Sequence, residues 1–178
     1  STVAYQLEGF LFPATYDLAE NSDAEDVVAT MLETFDSKIT DEWTSYCEKN
    51  DMTLYELVTL ASVVEKETLG DGVAQDIASV FINRLNKGQM LQSDVTIFYG
   101  NKLREHGFSD EVVTSYNTYK CAALPSGPIC NPGIENINAV VNHNDTDYYY
   151  FFSDLEKKFH FAKDYDEFET LKQKYPWQ

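Results

Sequence analysis

Apolar residues recur at helical spacing three times in the first half of this chain. Val27, Val28, Met31, Leu32, Phe35 and Ile39 share one face. Ser22-x-x-Glu25 just before them has the form of a capping box, so an amphipathic helix is expected there. A shorter helix is expected over residues 41–49, ending near Asn50. Thr53-x-x-Glu56 then caps a third helix that carries Leu54, Leu57, Val58, Leu60, Ala61 and Val64 and runs into Glu65 and Glu67. Spacing resumes over residues 73–85 through Ala74, Ile77, Ala78, Phe81 and Leu85, with Gly88 as the residue that turns the chain out of the helix.

The second half changes character. Pro125, Gly127, Pro128, Pro132 and Gly133 preset the backbone of residues 121–134 as an irregular loop, a kind of segment that often carries function. The β-rich runs 148–153 and 159–162 predict an antiparallel hairpin across 154–158, followed by a terminal helix over 166–174. No internal repeat or linker interrupts the pattern, so residues 1–178 read as one domain. The expected class is α+β: a mainly helical domain with a small antiparallel β-sheet.

Composition narrows the partners. Thirteen Lys and Arg against thirty Asp and Glu give a formal net charge of −17, a field that repels phosphate backbones, so nucleic acid is not an expected partner. Twelve Tyr, eleven Phe and two Trp, dense at Tyr148-Tyr149-Tyr150-Phe151-Phe152, offer either a packed sheet or walls on which sugar rings stack. Cys47, Cys121 and Cys130 lack Cys-x-x-Cys spacing, so neither a zinc knuckle nor a disulfide framework is indicated. His143, Asp145 and Asp147 read as a solvated turn rather than metal ligands, and no metal or other cofactor is expected. No run of about eighteen apolar residues is present.

The strongest candidate for chemistry is the end of the third helix, Val63-Val64-Glu65-Lys66-Glu67-Thr68. A carboxyl beside apolar surface resists ionisation and can donate its proton to a leaving oxygen. Glu65 and Glu67 lie about 200° apart around a helix axis, so they cannot clamp one bond together. Both flank the apolar stripe equally, and periodicity does not choose between them.

Longer motifs do. Ala61-Ser62-Val63-Val64-Glu65-Lys66-Glu67-Thr68 is followed in order by Ala78-Ser79-Val80-Phe81-Ile82-Asn83-Arg84-Leu85, Leu91-Gln92-Ser93-Asp94-Val95-Thr96 and Ser115-Tyr116-Asn117-Thr118-Tyr119. With Leu7-Glu8-Gly9-Phe10-Leu11-Phe12-Pro13 before them and Leu124-Pro125-Ser126-Gly127-Pro128-Ile129-Cys130-Asn131-Pro132-Gly133 after, the chain resembles the endolytic murein transglycosylase (YceG-like) family over nearly its whole length. It departs in Ala122-Ala123-Leu124-Pro125-Ser126-Gly127, where Gly-Leu-Pro-Pro-Gly is more usual.

The resemblance implies cleavage of the β-1,4 bond between N-acetylmuramic acid and N-acetylglucosamine within peptidoglycan strands, leaving 1,6-anhydro ends. It assigns the catalytic glutamate to Glu67, as acid and then base, and places Gln92, Asp94, Tyr116, Asn117 and Tyr119 in substrate-binding motifs. For each of these polar residues a local backbone hydrogen bond is the competing role, and Asp94 could instead be an auxiliary carboxylate. His160 matches a family histidine but reads as a half-buried strand residue. Glycan strands are the implied partner, cell-wall synthases are candidate neighbours, and membrane attachment is expected only through an anchor absent from this chain, as is a LysM-like segment. The implied location is the outer face of the cytoplasmic membrane. A non-catalytic peptidoglycan-binding module is the alternative, favoured if Glu67 stands exposed without a cleft. A lyase label carried by some relatives would imply pyridoxal phosphate, for which no lysine here has a phosphate-cradling context.

Overall fold

The computed structural model describes residues 2–68 and 72–177. Its elements run α1 (Ala24–Asp36), α2 (Asp41–Lys49), α3 (Leu54–Glu67), α4 (Ala74–Asn86), α5 (Asp94–Glu105), α6 (Asp110–Ser115), α7 (Ile134–Val141), β1 (Tyr150–Ser153), β2 (Phe159–Ala162) and α8 (Tyr165–Lys174). The class is α+β as expected, with one two-stranded antiparallel sheet among the described residues.

α3 is the axis of the domain. Leu57 to Val64 are eight consecutive residues with at most 1% exposure, so the helix is covered on every side rather than along a stripe. α2, α4, α5 and α7 pack around it. The polar members of this run are satisfied internally: Thr59 Oγ1 donates to Tyr55 O and Ser62 Oγ to Thr59 O, while Ser62 Oγ accepts the Ile129 N–H at 3.0 Å. That last bond holds the irregular 121–134 loop against the helix. Gly9 passes on the same side with φ +94°, and any Cβ there would collide with Pro128 and Val58, so glycine is required by close approach as well as by dihedral. The Asn131 carboxamide oxygen accepts from Gly9 N and Leu11 N at 2.7 and 3.1 Å, joining two segments that are distant in sequence.

Helix ends follow local chemistry with one shift. Thr53 and Glu56 form the expected capping box. At α1 the box is Asp23 with Asp26, one residue beyond Ser22 and Glu25, because Asp23 takes the extended Ncap conformation and accepts the Asp26 N–H. Ile39 lies past the end of α1 and reaches the core from the connection. After α4, Gly88 at φ +64° donates to Leu85 O while Gln89 N donates to Arg84 O at 2.8 Å, the paired bonds of a Schellman motif.

The hairpin pairs Tyr150 with Ala162 and Ser153 with Phe159. Asp154 closes its turn by accepting the Glu156 and Lys158 N–H groups and by meeting His160 Nε2 at 2.8 Å. α4 fastens the hairpin to the helical body: Asn83 Nδ2 donates to Thr146 O and Tyr148 O, and Arg84 Nε donates to Tyr149 O. The other end of Arg84 donates to Leu91 O at 2.7 Å, so one guanidinium fixes the spacing between the hairpin and the segment leading into α5.

Candidate functional site

The two ends fastened by Arg84 are the walls of a groove of about 660 Å³. One wall is the end of α3 and the start of α5, with Lys66, Glu67, Gln92, Ser93, Asp94 and Phe98; the other is the hairpin and α8, with Tyr150, Phe152, Tyr165, Phe168 and Trp177. Four aromatic side chains at this groove are substantially exposed: Phe98 (62%), Tyr165 (58%), Trp177 (47%) and Tyr119 (41%). Most other rings pack. Phe151 sits against Phe81, Phe159 and Phe161, and Tyr150 against Phe168. The packed-sheet expectation therefore holds for the rings of residues 150–152, while the exposed rings at the groove lie mostly outside that run.

Glu67 is the last residue of α3 and is half-buried in the groove. Ser93 Oγ donates to its Oε1 at 2.5 Å. Burial pushes the Glu67 carboxyl above the ordinary range, the Ser93 hydrogen bond partly offsets this, and the nearby Asp94 charge adds to the rise. Its position at the C-terminal end of α3 acts in the same direction, because the helix dipole there disfavours negative charge. The result is a carboxyl with a raised pKa facing a groove of about 660 Å³.

Glu65 has a different fate. Its Oε2 accepts the Gly133 N–H at 2.7 Å and Asn136 Nδ2 at 3.0 Å. Gly133 is the Ncap of α7 and has no side chain with which to cap, so Glu65 supplies a carboxylate to that helix N-terminus from across the core. It lines a separate hollow of about 790 Å³ with Thr68, Gln75, Asn136 and Asn142, on the other flank of α3.

Of the polar residues singled out in the sequence, Gln92, Asp94 and Tyr119 share the groove with Glu67. Tyr119 Oη donates to Asp94 Oδ1 at 2.6 Å, and burial followed by this bond pushes the phenol up to about 12. Gln92 is exposed with φ +51°, a left-handed conformation unusual for a side-chain-bearing residue, held by its N–H on Thr118 O at 3.1 Å. Asn117 and Tyr116 stand apart. Asn117 Oδ1 accepts the Tyr119 N–H at 2.9 Å, a local turn that sets the Tyr119 backbone, and its side chain does not line the groove. Tyr116 is 1% exposed in the core, tilted against Tyr99, with its hydroxyl accepting the Ala4 N–H. His160 is a half-buried strand residue between Asp154 and Tyr175, as its pattern indicated.

Sequence reasoning passed over Ser93, Lys66, Arg84 and the exposed rings Phe98, Tyr165 and Trp177. Ser93 precedes the acidic first residue of α5 and looks like an ordinary Ncap, yet its side chain makes no cap bond because it is directed at Glu67. Only the long-range partner reveals it.

A model of the YceG-like family matches residues 1–174. An endolytic murein transglycosylase of Bacillus subtilis is 35% identical over 177 residues, covering 97% of this chain and 49% of that protein. One from Streptococcus pneumoniae is 34% identical over 176 residues, covering 94% of this chain and 32% of its own. The crystal structure of a YceG-like protein of Listeria monocytogenes superposes with a TM-score of 0.83 at 33% identity, over 96% of this chain and 57% of that one. The chain thus spans about half the length of the Bacillus relative and about a third of the pneumococcal one. The family match over almost every residue, together with a shared fold at 33% identity, shows that this chain belongs to the YceG-like family.

Proposed function

We propose that this domain is a lytic transglycosylase that cuts within peptidoglycan strands at the β-1,4 bond from N-acetylmuramic acid to N-acetylglucosamine. The observation that carries the reading is Glu67: a carboxyl whose pKa burial raises, on the wall of a groove lined with exposed aromatic rings. A pure binding module would gain support from an exposed Glu67 without a cleft, and Glu67 is neither.

In the first half of the reaction, protonated Glu67 gives its proton to the glycosidic oxygen as the bond to the muramyl anomeric carbon breaks. The resulting carboxylate then takes the proton of the muramyl C6 hydroxyl, whose oxygen closes on that same carbon. A 1,6-anhydro end forms, Glu67 is protonated again, and no water is consumed. Gln92 and Asp94 offer hydrogen bonds to hydroxyl and acetamido groups, and Phe98, Tyr119, Tyr165 and Trp177 offer faces for sugar rings. The reading implies a domain working on the outer side of the cytoplasmic membrane, with cell-wall synthases as candidate neighbours.

A hydrolase is the second reading, because Asp94 places another carboxylate in the groove. Its Oδ1 is already engaged by the Tyr119 hydroxyl, which weakens it as a nucleophile or base. Digestion of purified glycan strands in ¹⁸O-water with mass spectrometry of the products separates the two. The expected result is unlabelled 1,6-anhydromuramyl ends. Reducing ends carrying ¹⁸O as the main product would establish hydrolysis instead.

A further inference from the structure

The Ncap serine of α5 has given up its usual task. A serine at this position normally accepts a hydrogen bond from a backbone N–H in the first helical turn, which Ser93 does not. Its backbone is instead pinned from both sides within the core. Ser93 N donates to Thr118 Oγ1 at 3.0 Å, and Ser93 O accepts from Thr96 Oγ1 at 2.7 Å. Thr96 and Thr118 are themselves linked, hydroxyl to hydroxyl, at 3.0 Å, and both are fully buried. Ser93 is 2% exposed, and its hydroxyl points at one atom, Oε1 of Glu67.

We infer that Ser93 is a positioning residue which reserves Oε1 of Glu67 as the hydrogen-bond acceptor and thereby confines the transferable proton to Oε2. The inference rests on the reading of Glu67 as the acid. A carboxylic acid has two oxygens, and a proton on the wrong one faces the protein rather than the substrate. A hydroxyl that donates to Oε1 removes this ambiguity, because an acceptor already engaged by a donor is the poorer place for a proton. Among the described residues no donor reaches Oε2, which leaves that oxygen available to the groove. After the first proton transfer the same hydrogen bond, now to a carboxylate, strengthens, so it supports the charged state at the moment it forms. Burial of Ser93, Thr96 and Thr118 fixes the geometry before substrate arrives.

Ionisable groups facing this pair are Asp94 on α5, Tyr119 beyond α6, Arg84 on α4, Tyr150 on β1 and the adjacent Lys66. All are present in the parent and in every Ser93 variant, so a change in titration between them reports the serine.

The test compares Ser93→Ala, Ser93→Thr and Ser93→Cys with the parent on soluble glycan strands freed of stem peptides, across pH, alongside a ¹³C-carboxyl titration of Glu67. Loss of the hydroxyl in Ser93→Ala is expected to reduce kcat/KM about ten- to a hundred-fold, the worth of a hydrogen bond to a charged group. Because the Ser93 bond lowers the Glu67 pKa, its removal is expected to move both the Glu67 titration and the high-pH fall of kcat/KM upward. Ser93→Thr, which keeps a hydroxyl, should restore rate and titration together, whereas Ser93→Cys, a weak donor of similar size, should not. A Ser93→Ala protein with parental rate and an unmoved Glu67 titration would overturn the inference. So would equal losses in all three variants without any shift in titration, since that pattern belongs to packing. If Glu67→Gln itself retains activity, the acid assignment fails, while the NMR titration still reads the Ser93–Glu67 coupling on its own.

Discussion

Glu65 and Glu67 sit two residues apart on one helix and live in opposite physical worlds. Glu65 Oε2 receives a backbone N–H and a carboxamide N–H at the N-terminus of α7, where a negative charge is welcome. Glu67 lies at the C-terminal end of α3 with one hydroxyl partner, a neighbouring acidic charge and apolar rings around the groove, where a negative charge is discouraged. The helix delivers both by simple geometry, since about 200° of rotation sends one to each flank. What differs is the company each meets. The same residue type becomes a structural clamp on one flank and, on the other, a carboxyl whose charge is disfavoured and which is proposed here as the acid.

The sharpest way to break this comparison is Glu67→Gln. Its shape is kept and its proton lost, so strand cleavage should fall by about a thousand-fold or more. Stability should move the other way in a pH-dependent manner. Glu67 has a folded pKa raised above its unfolded value, so its contribution is intact below the unfolded pKa and is lost as pH rises through the folded one. The Gln variant carries no such loss. Unfolding midpoints for the two proteins should therefore coincide in acid and separate in favour of Glu67→Gln as pH rises past the ordinary range of a glutamate. A variant less stable at high pH than the parent would mean that the carboxylate is well solvated or paired, contrary to this account.

Glu65→Ala reverses the pattern. Gly133 N–H and Asn136 lose their acceptor, and α7 loses its cap, which should cost about 1–3 kcal/mol of folding stability. Activity per folded molecule should remain close to parental. Denaturant titration beside a turnover assay at matched folded concentration checks both halves, and an inactive yet fully stable protein would transfer the catalytic role to Glu65.

Much of this contrast was legible in the sequence, though its cause was not. Periodicity predicts α2, α3 and α4 to within a residue but carries α1 three residues too far, to Ile39, while the β-rich runs predict the hairpin and the terminal helix after it. The sequence pattern does not predict α5. Its apolar positions are interrupted by Gly100, a residue that weakens a helix by about 1 kcal/mol relative to Ala. The structure shows what Gly100 is for: a Cβ there would press on the Val113 carbonyl oxygen at 3.3 Å, so its absence lets α6 approach. α7 begins directly after Pro132-Gly133, in a stretch between the 121–134 loop and residue 148 for which the sequence pattern predicts no element.

At the site, motif order pointed to Glu67, Gln92, Asp94 and Tyr119, which the fold gathers in one groove. The same motif also carried Tyr116 and Asn117, which face the core and a local turn. A run of five polar and aromatic residues cannot reveal which members turn inward, because that depends on partners such as Ala4 and Thr96 from elsewhere in the chain. Glu65 was open for a like reason: only α7 shows why it is engaged.

A subtler change tests the charge that separates the two glutamates. Asp94 raises the pKa of Glu67 through its negative charge, so Asp94→Asn should lower it. The protonated acid is needed at the start of the reaction, and the high-pH fall of kcat/KM should accordingly begin at lower pH. A pH–rate profile reads this directly. An unmoved or upward-moved limb would show that Asp94 does not feel Glu67, and the groove would lose one of the influences that set it apart from the Glu65 flank.

The smallest effect is expected from Tyr119→Phe, and it addresses a rival acid in the groove. The Tyr119 phenol is pushed up to about 12 and keeps its proton throughout the working range, so it is a possible donor to a leaving oxygen on protonation state alone. Geometry argues against it, because that proton is already committed to Asp94 Oδ1 at 2.6 Å. Both residues are exposed, so water can replace the lost hydroxyl and the ring can still meet a sugar face. Cleavage by Tyr119→Phe should thus stay within about tenfold of the parent, a cost near the 1.5 kcal/mol of one hydrogen bond. If this substitution instead abolished turnover as completely as Glu67→Gln does, in a protein that still binds strands, the proton would have two keepers. The contrast between a single acid on one flank and a clamp on the other would then have to be redrawn around the Glu67–Asp94–Tyr119 cluster.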